Sequence, residues 1–256
     1  MTQVQQSNVA GIECDRPEGQ SQNPVQYSGR KAYRAKSEQR RVKILEATLR
    51  IAASEGIRGI KHRSVAREAG VPLASTTYYF RDIHELIGDA FTLFAEKAQD
   101  NLDQFYHMVN MVLDAAAPES LNRGGPGREA LARRLASIVS AYLGEQFSQR
   151  REAVLAEQVF LMEALRDPDL GQLARQYRVA WVSGLEDLLL RLDSRSPRRD
   201  ASLLVSVVLG LGYDGLLFRD EAQAQYLSGA VERMLGLVMG VPELLGVAAD
   251  TEISKK

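Results

Sequence analysis

Between Leu73 and Phe80 the chain sets Ala74, Ser75, Thr76, Thr77, Tyr78 and Tyr79 in succession, five of them carrying a hydroxyl and none an acid. A hydroxyl both donates and accepts, so this run can hydrogen-bond base edges or phosphate oxygens without repelling the phosphates. Its small side chains can lie against a thymine methyl. Lys61, His62 and Arg63 stand just upstream and His84 just downstream, adding cationic or protonatable groups. Catalytic chemistry does not assemble in the same way. The three histidines, His62, His84 and His107, are scattered, and the single cysteine, Cys14, excludes an intrachain disulfide and gives no metal-ligand spacing. No nucleophile elbow, phosphate-binding loop, dinucleotide fingerprint or zinc-protease spacing occurs. Glu157 and Glu163 would need a pocket to act as an acid–base pair. The residues therefore describe a non-enzyme with no cofactor and no metal.

The elements that must position the hydroxyl run are two short helices meeting at a tight turn. Val65, Ala66 and Ala69 make a narrow apolar stripe at helical spacing. Gly70 follows, where a helix ends at least cost in a left-handed conformation. Pro72 suits the first turn of the next helix, where its missing N–H is not needed. Ala66 and Ala69 are small enough for that helix to cross closely above them. The pattern is that of a helix-turn-helix whose second helix can enter the DNA major groove, or else of an ordinary helical hairpin with a polar face.

From about Arg40 to Leu86 the chain resembles the DNA-binding domain of the TetR family of transcriptional regulators. The matching elements are Ile44-Leu45-Glu46-Ala47-Thr48, Glu55-Gly56, Val65-Ala66-Arg67-Glu68-Ala69-Gly70-Val71, Tyr79-Phe80 and Glu85-Leu86. His62-Arg63 together with the string Val71 to Phe80 is similar to one subgroup of that family. The resemblance implies DNA contacts from Lys61, His62, Arg63, Leu73, Ala74, Ser75, Thr76, Tyr78, Tyr79 and His84. The chain departs from the family pattern at Lys61, where a capping Thr or Ser is usual, and at His62, where an aliphatic is usual. Thr77 stands in a slot often held by a phosphate-contacting Tyr, and Ile83 in one commonly held by Lys.

Formal net charge is −1, so any DNA contact must come from local clustering of charge rather than from a generally basic surface. Residues 1–36, rich in Gln, Ser, Asn, Gly and Pro, predict a disordered tail. Its distal part continues as a basic run: Arg30, Lys31, Arg34, Lys36, Arg40, Arg41 and Lys43 against Glu38 alone. That run is either solvated or an arm that neutralises phosphates beside the main contact. The N-terminus shows no basic region followed by an apolar segment, and a cytoplasmic location is expected.

Helical periodicity then places a first helix over about 37–54 and a long one over about 83–114, begun by a capping box of Asp82 and Glu85. A loop is expected over 115–127. Further amphipathic helices follow to about 192, with Ser194–Arg199 as a solvated basic turn. Ala201–Phe218 is apolar almost all round. Asp214, Tyr213, Ser202 and Ser206 interrupt it, which argues against a membrane span and for partners on every side. The next helix offers Leu227, Ala230, Val231, Met234 and Val238 as an interface stripe. In the family resembled, the last two long helices pair between subunits, which implies a homodimer and reads Asp214-Gly215 as structural. From Val241 a frayed tail is expected.

The expected fold is all-α: a tail over 1–36, a three-helix DNA-binding head over 37–86, a helical ligand-binding and dimerisation domain over 87–241, and a tail over 242–256. A small-molecule effector would lie among Tyr106, Tyr142, Phe160, Glu163, Tyr177, Trp181 and Tyr213, as a mainly apolar cavity with a few polar anchors. The expected function is a repressor released from a near-palindromic double-stranded operator by that effector. The alternatives are a constitutive regulator without a ligand, and a helical enzyme with a helix-turn-helix-like hairpin. If the basic arm touches phosphates, deleting residues 1–36 weakens binding to operator and random DNA alike and makes the salt dependence shallower. An unchanged slope of log affinity against log salt would show the arm to be merely solvated.

Overall fold

The computed structural model describes residues 35–218 and 221–245. Cys14 and the basic arm through Arg34 lie outside the described residues, as do residues 246–256. Among the described residues there is no strand, in keeping with the all-α expectation, and ten α-helices form two large apolar cores and a small third cluster of Phe94, Ala95 and Tyr177.

The head begins with α1 (Ala35–Glu55), which starts two residues earlier than its apolar period predicts and buries Ile44, Leu45, Thr48, Ile51 and Ala52 on one face. Thr48 is tolerated there because its hydroxyl donates to the Ile44 carbonyl at 2.9 Å. After a short 3-10 turn (Ile57–Gly59) comes α2 (His62–Ala69). Lys61, standing where a capping hydroxyl is usual, has its backbone N–H satisfied by the Ser64 hydroxyl from inside the helix at 3.1 Å. The same hydroxyl donates to Gly59 O at 2.8 Å. Gly70 closes α2 at φ 62°, a left-handed conformation that glycine adopts without steric cost. Pro72 is the N-cap of α3 (Leu73–Tyr79), one position before the expected first turn.

The long helix α4 (Ile83–Asp114) starts where Asp82 accepts the Glu85 N–H at 2.8 Å. The reciprocal arm of the expected capping box reaches one residue further back: the Glu85 carboxylate accepts from the Arg81 N–H rather than from Asp82. The Glu85 N–H foremost, with the Arg81 guanidinium and the His84 N–H, holds the Asp82 carboxyl below its usual range.

The segment predicted as a loop contains one helical turn, α5 (Pro118–Leu121), because Pro118 suits a first helical turn. There follow α6 (Arg128–Gln149), α7 (Arg151–Glu163), α8 (Pro168–Arg191), α9 (Pro197–Leu217) and α10 (Glu221–Met239). Val241 and Leu244 are 4% exposed, the latter on a 3-10 turn (Pro242–Leu245), so the chain from Val241 to Leu245 is packed rather than frayed. Apolar side chains at the end of α10 leave a surface that these two residues close.

The body core joins the distal half of α4 to α6, α8, α9 and α10. The expected interface stripe on α10 faces this core: Leu227, Val231, Met234 and Val238 are buried and Ala230 packs against it. One flank of α9 (Leu204, Val205, Leu211, Gly212) is buried as well. Its other flank shows Leu203, Ser206, Gly210, Tyr213 and Leu217 to solvent at intervals of three and four residues. By length and composition α9 is apolar enough to cross a bilayer, but Ala201, Leu204, Val205 and Leu211 pack inside the protein.

One buried cation ties the far end of the body together. Arg128, 3% exposed at the start of α6, donates to Met239 O at 2.8 Å, to Leu192 O at 2.6 Å, and to the carbonyls of Leu121 and Ser120. Three of these acceptors lie at the C-terminal ends of α10, α8 and α5, where unpaired carbonyls concentrate negative charge. Burial, and after it the nearby Arg123 charge, pulls the Arg128 guanidinium below its usual range. Arg128→Met keeps the bulk and orphans these carbonyls. Unfolding in urea should show a loss of at least about 3 kcal/mol, with Arg128→Lys recovering part of it. A loss below about 1 kcal/mol would show that water replaces the guanidinium freely.

Candidate functional site

The recognition hairpin presents α3 outward. Leu73, Ala74, Thr77 and Tyr78 are exposed, Tyr78 to 76%, with Lys61 and Arg63 exposed on α2 and its cap. Ser75 is half-buried with its backbone N–H bonded to Pro72 O. Thr76 faces the opposite way. It is fully buried, and its hydroxyl donates to Leu73 O at 2.8 Å, so it packs the hairpin and cannot reach a base. Helical rotation explains the difference: Thr76 shares a face with Phe80, which is 1% exposed, whereas Thr77 points out. Thr77 is the exposed hydroxyl that the expected set omits.

Tyr79 is half-buried, its hydroxyl within 2.7 Å of the Ser37 hydroxyl of α1 and its ring edge-on to Tyr78 at 5.1 Å. His62 is half-buried on α2 and its Nδ1 has no partner among the described residues. Ile83, where a lysine is usual, packs against the head core instead of offering a charge. His84 turns away from α3 toward the start of α8, with Nδ1 3.4 Å from Asp167 and Nε2 3.6 Å from Asp169. It joins the start of α4 to the start of α8. These three side chains are near enough to share a cation, but the Asp167 carboxylate is already the N-cap of α8, accepting the N–H groups of Asp169 and Leu170.

A cavity of about 620 Å³ lies beneath the head, bounded by α1, α4, α6, α7, α8, α9 and α10. Tyr106, Tyr142, Tyr177 and Trp181 from the expected set line it, joined by Phe94 and Phe147. Gly184 makes room for this wall: a Cβ there would fall 2.2 Å from the Tyr106 ring. The Tyr106 hydroxyl donates to Trp181 O at 3.1 Å, and Tyr142 stacks on Phe105 at 4.4 Å. Burial pushes the phenols of Tyr106 and Tyr142 up.

Three expected cavity residues lie elsewhere. Phe160 is fully buried in the head core, stacked on Phe91 at 4.6 Å. Glu163 borders a shallower cleft on the other side of α7, beside Glu55 to Arg58, and pairs with Arg166. Tyr213 is 55% exposed on the outer flank of α9. In their place the cavity contains Glu157, three residues from both Val154 and Phe160 and so on the buried face of α7. That spacing was the available signal. The Tyr177 hydroxyl donates to its Oε1 at 2.8 Å. Burial raises the Glu157 carboxyl to about 7, with the Tyr177 bond opposing. Burial, the Glu157 charge and their shared hydrogen bond push Tyr177 well above the usual phenol range.

The raised acid has a defined effect on stability. Between about pH 4.5 and 7 the folded protein holds a proton at Glu157 that the unfolded chain has released. Stability contributed by the protonated form is thus complete below that window and falls as pH rises through it, by on the order of 3 kcal/mol. Urea unfolding of wild type against Glu157→Gln at pH 5 and pH 8 isolates this change. Equal pH dependence in the two proteins would contradict it.

Comparison with known proteins agrees with this arrangement. The profile described as "Tetracyclin repressor-like, C-terminal domain" matches residues 126–237. The HTH-type transcriptional regulator PksA of Bacillus subtilis (strain 168) is 38% identical over 65 residues, covering 25% of this chain and 32% of PksA, so the match spans about a third of that relative. A transcriptional regulator from Rhodococcus sp. Rha1 shares the fold with a TM-score of 0.59 at 20% identity, over 78% of this chain and 96% of that one. The multidrug binding protein EbrR, solved with ethidium, is 28% identical with a TM-score of 0.51, over 77% of this chain and 98% of EbrR. The profile match over the body and the PksA match both mark this chain as similar to the TetR-family transcriptional regulators.

Proposed function

We propose that the protein is a homodimeric cytoplasmic repressor, released from a near-palindromic operator when a small molecule fills the cavity. The observation that carries this reading is the shared wall between cavity and head. Glu46, Leu49 and Arg50 of α1 line the cavity beside body residues, and α1 is also the helix against which α2 packs. On α7, Glu157 faces the cavity while Phe160, three residues on, is locked into the head core. An occupant therefore touches the parts that orient α3. It shifts the equilibrium only so far as it prefers one head orientation over the other.

The exposed stripe of α9, with Leu203, Gly210 and Tyr213, supports pairing of two copies, and two heads related by a two-fold axis address half-sites one helical turn apart or a multiple of it. Lys61, Arg63 and the Tyr79 hydroxyl set position on phosphates, whereas Ser75 and Thr77 contribute base readout. EbrR, whose structure holds ethidium, supports the effector half of the reading.

Selection of bound sequences from a random DNA library, followed by a metabolite screen for release, tests the whole proposal. Ser75→Ala should relax preference at one position per half-site and cost about 1–3 kcal/mol there. Thr76→Val should leave preference unchanged. Leu203→Arg should shift light scattering toward the monomer. A wild type that is monomeric at micromolar concentration, or that selects no sequence, would overturn the reading.

A further inference from the structure

Glu157 is a carboxylate inside a mainly apolar cavity with one hydrogen bond. A carboxylate offers about four acceptor positions, and among the described residues the Tyr177 hydroxyl alone is bonded to it. No lysine or arginine pairs with it among the described residues. The cations that line the cavity are engaged elsewhere or solvated: Lys97 is bound to Glu46 at 2.6 Å, Arg50 to Glu68 at 2.7 Å, and Arg150 is exposed just past α6. Tyr177 needs only a neutral acceptor, which a glutamine would supply. The charge is surplus to the fold.

We propose that the effector is a monovalent organic cation, an aromatic iminium or protonated amine, whose charge is met by Glu157 and whose apolar body lies between Phe94, Tyr142, Phe147 and Trp181. This rests on the ligand-responsive reading above and names the chemistry of its site. Ring faces carry negative quadrupole charge, so this wall favours a cation over a neutral ring system. Tyr177 meets Trp181 edge-on at 5.4 Å and Phe94 at 6.1 Å, so the carboxylate stands at the edge of a continuous aromatic surface. A cavity of about 620 Å³ has room for a molecule of several fused rings. An anionic effector would be repelled by the carboxylate at the edge of that surface.

Entry of the cation is coupled to a proton. In the empty cavity burial keeps Glu157 partly protonated near neutrality. Binding then takes the form of a carboxylic acid and a cation giving a carboxylate–cation pair and a released proton. Binding of a permanent cation should weaken as pH falls, about tenfold between pH 8 and pH 6 for a group titrating near 7. The other ionisable groups facing this space are the Glu46–Lys97 pair and Arg50 from α1 and α4, Arg150 at the end of α6, and Glu152 on α7 itself. Tyr106, Tyr142 and Tyr177, pushed up by burial, stay neutral over that range. Among the described residues, neither α9 nor α10 contributes a charged side chain to the lining.

The test is a fluorescence titration of the full chain, without DNA, using ethidium and its uncharged reduced form dihydroethidium under anoxic conditions. Wild type should prefer ethidium at least tenfold at pH 8. In Glu157→Gln that preference should fall to near parity. Should the variant prove unstable, wild type alone decides, because ethidium affinity must fall toward pH 6 while dihydroethidium affinity does not. A wild type that prefers the neutral compound or binds neither, or a variant as cation-selective as wild type, overturns the assignment. Because no DNA is present, cation binding without operator release would refute the release mechanism and leave the assignment standing. Release by an uncharged compound, indifferent to Glu157→Gln, would do the reverse.

Discussion

Phe160 of α7 stacks on Phe91 of α4 with no surface left exposed, and most of the architecture follows from that contact. The three helices of the head do not close their own core. Phe160 and Leu170, from the body, complete it alongside Ile44, Leu45, Phe80 and Leu86. A head of about fifty residues has a high ratio of surface to volume, so borrowed apolar area matters to its stability. The consequence is mechanical: the head cannot reorient without either dragging α7 or opening that stack. Interiors packed at crystal-like density transmit such a displacement rather than absorbing it.

The cavity takes its meaning from this coupling. Its floor is α1, its side is α7, and its aromatic wall comes from α4, α6 and α8. At the opposite end of the body, Arg128 collects carbonyls from the ends of α5, α8 and α10, so the helices splay around the cavity from a fixed base. The exposed bridge of His84 to Asp167 and Asp169 adds a polar tie where the apolar one sits. Being exposed, it contributes orientation more than stability.

The departures from the family pattern find physical accounts in the same contacts. Ser64 supplies from within α2 the hydroxyl that Lys61 lacks, which leaves the lysine ammonium free at the exposed start of the helix. Ile83 adds apolar contact to the head core, exchanging a surface charge for packing. The half-buried His62 has an Nδ1 with no partner among the described residues, for which the fold offers no explanation.

What the sequence by itself determined is what local physics controls. The helix-turn-helix was legible because Val65, Ala66, Gly70 and Pro72 act within one or two turns, through period, cap and φ. The start of α4 was legible for the same reason, from Asp82 and Glu85. Tertiary structure decided which faces meet. Periodicity shows that α7 and α10 each have an apolar side, but it does not say which neighbour covers it. Phe160 therefore belongs to the head core, Glu157 to the cavity, and the stripe of Leu227, Val231 and Met234 to the interior rather than to a partner. Thr76 and Thr77 are adjacent hydroxyls of one short helix, and only the rotation of α3 against α2 buries the first and exposes the second.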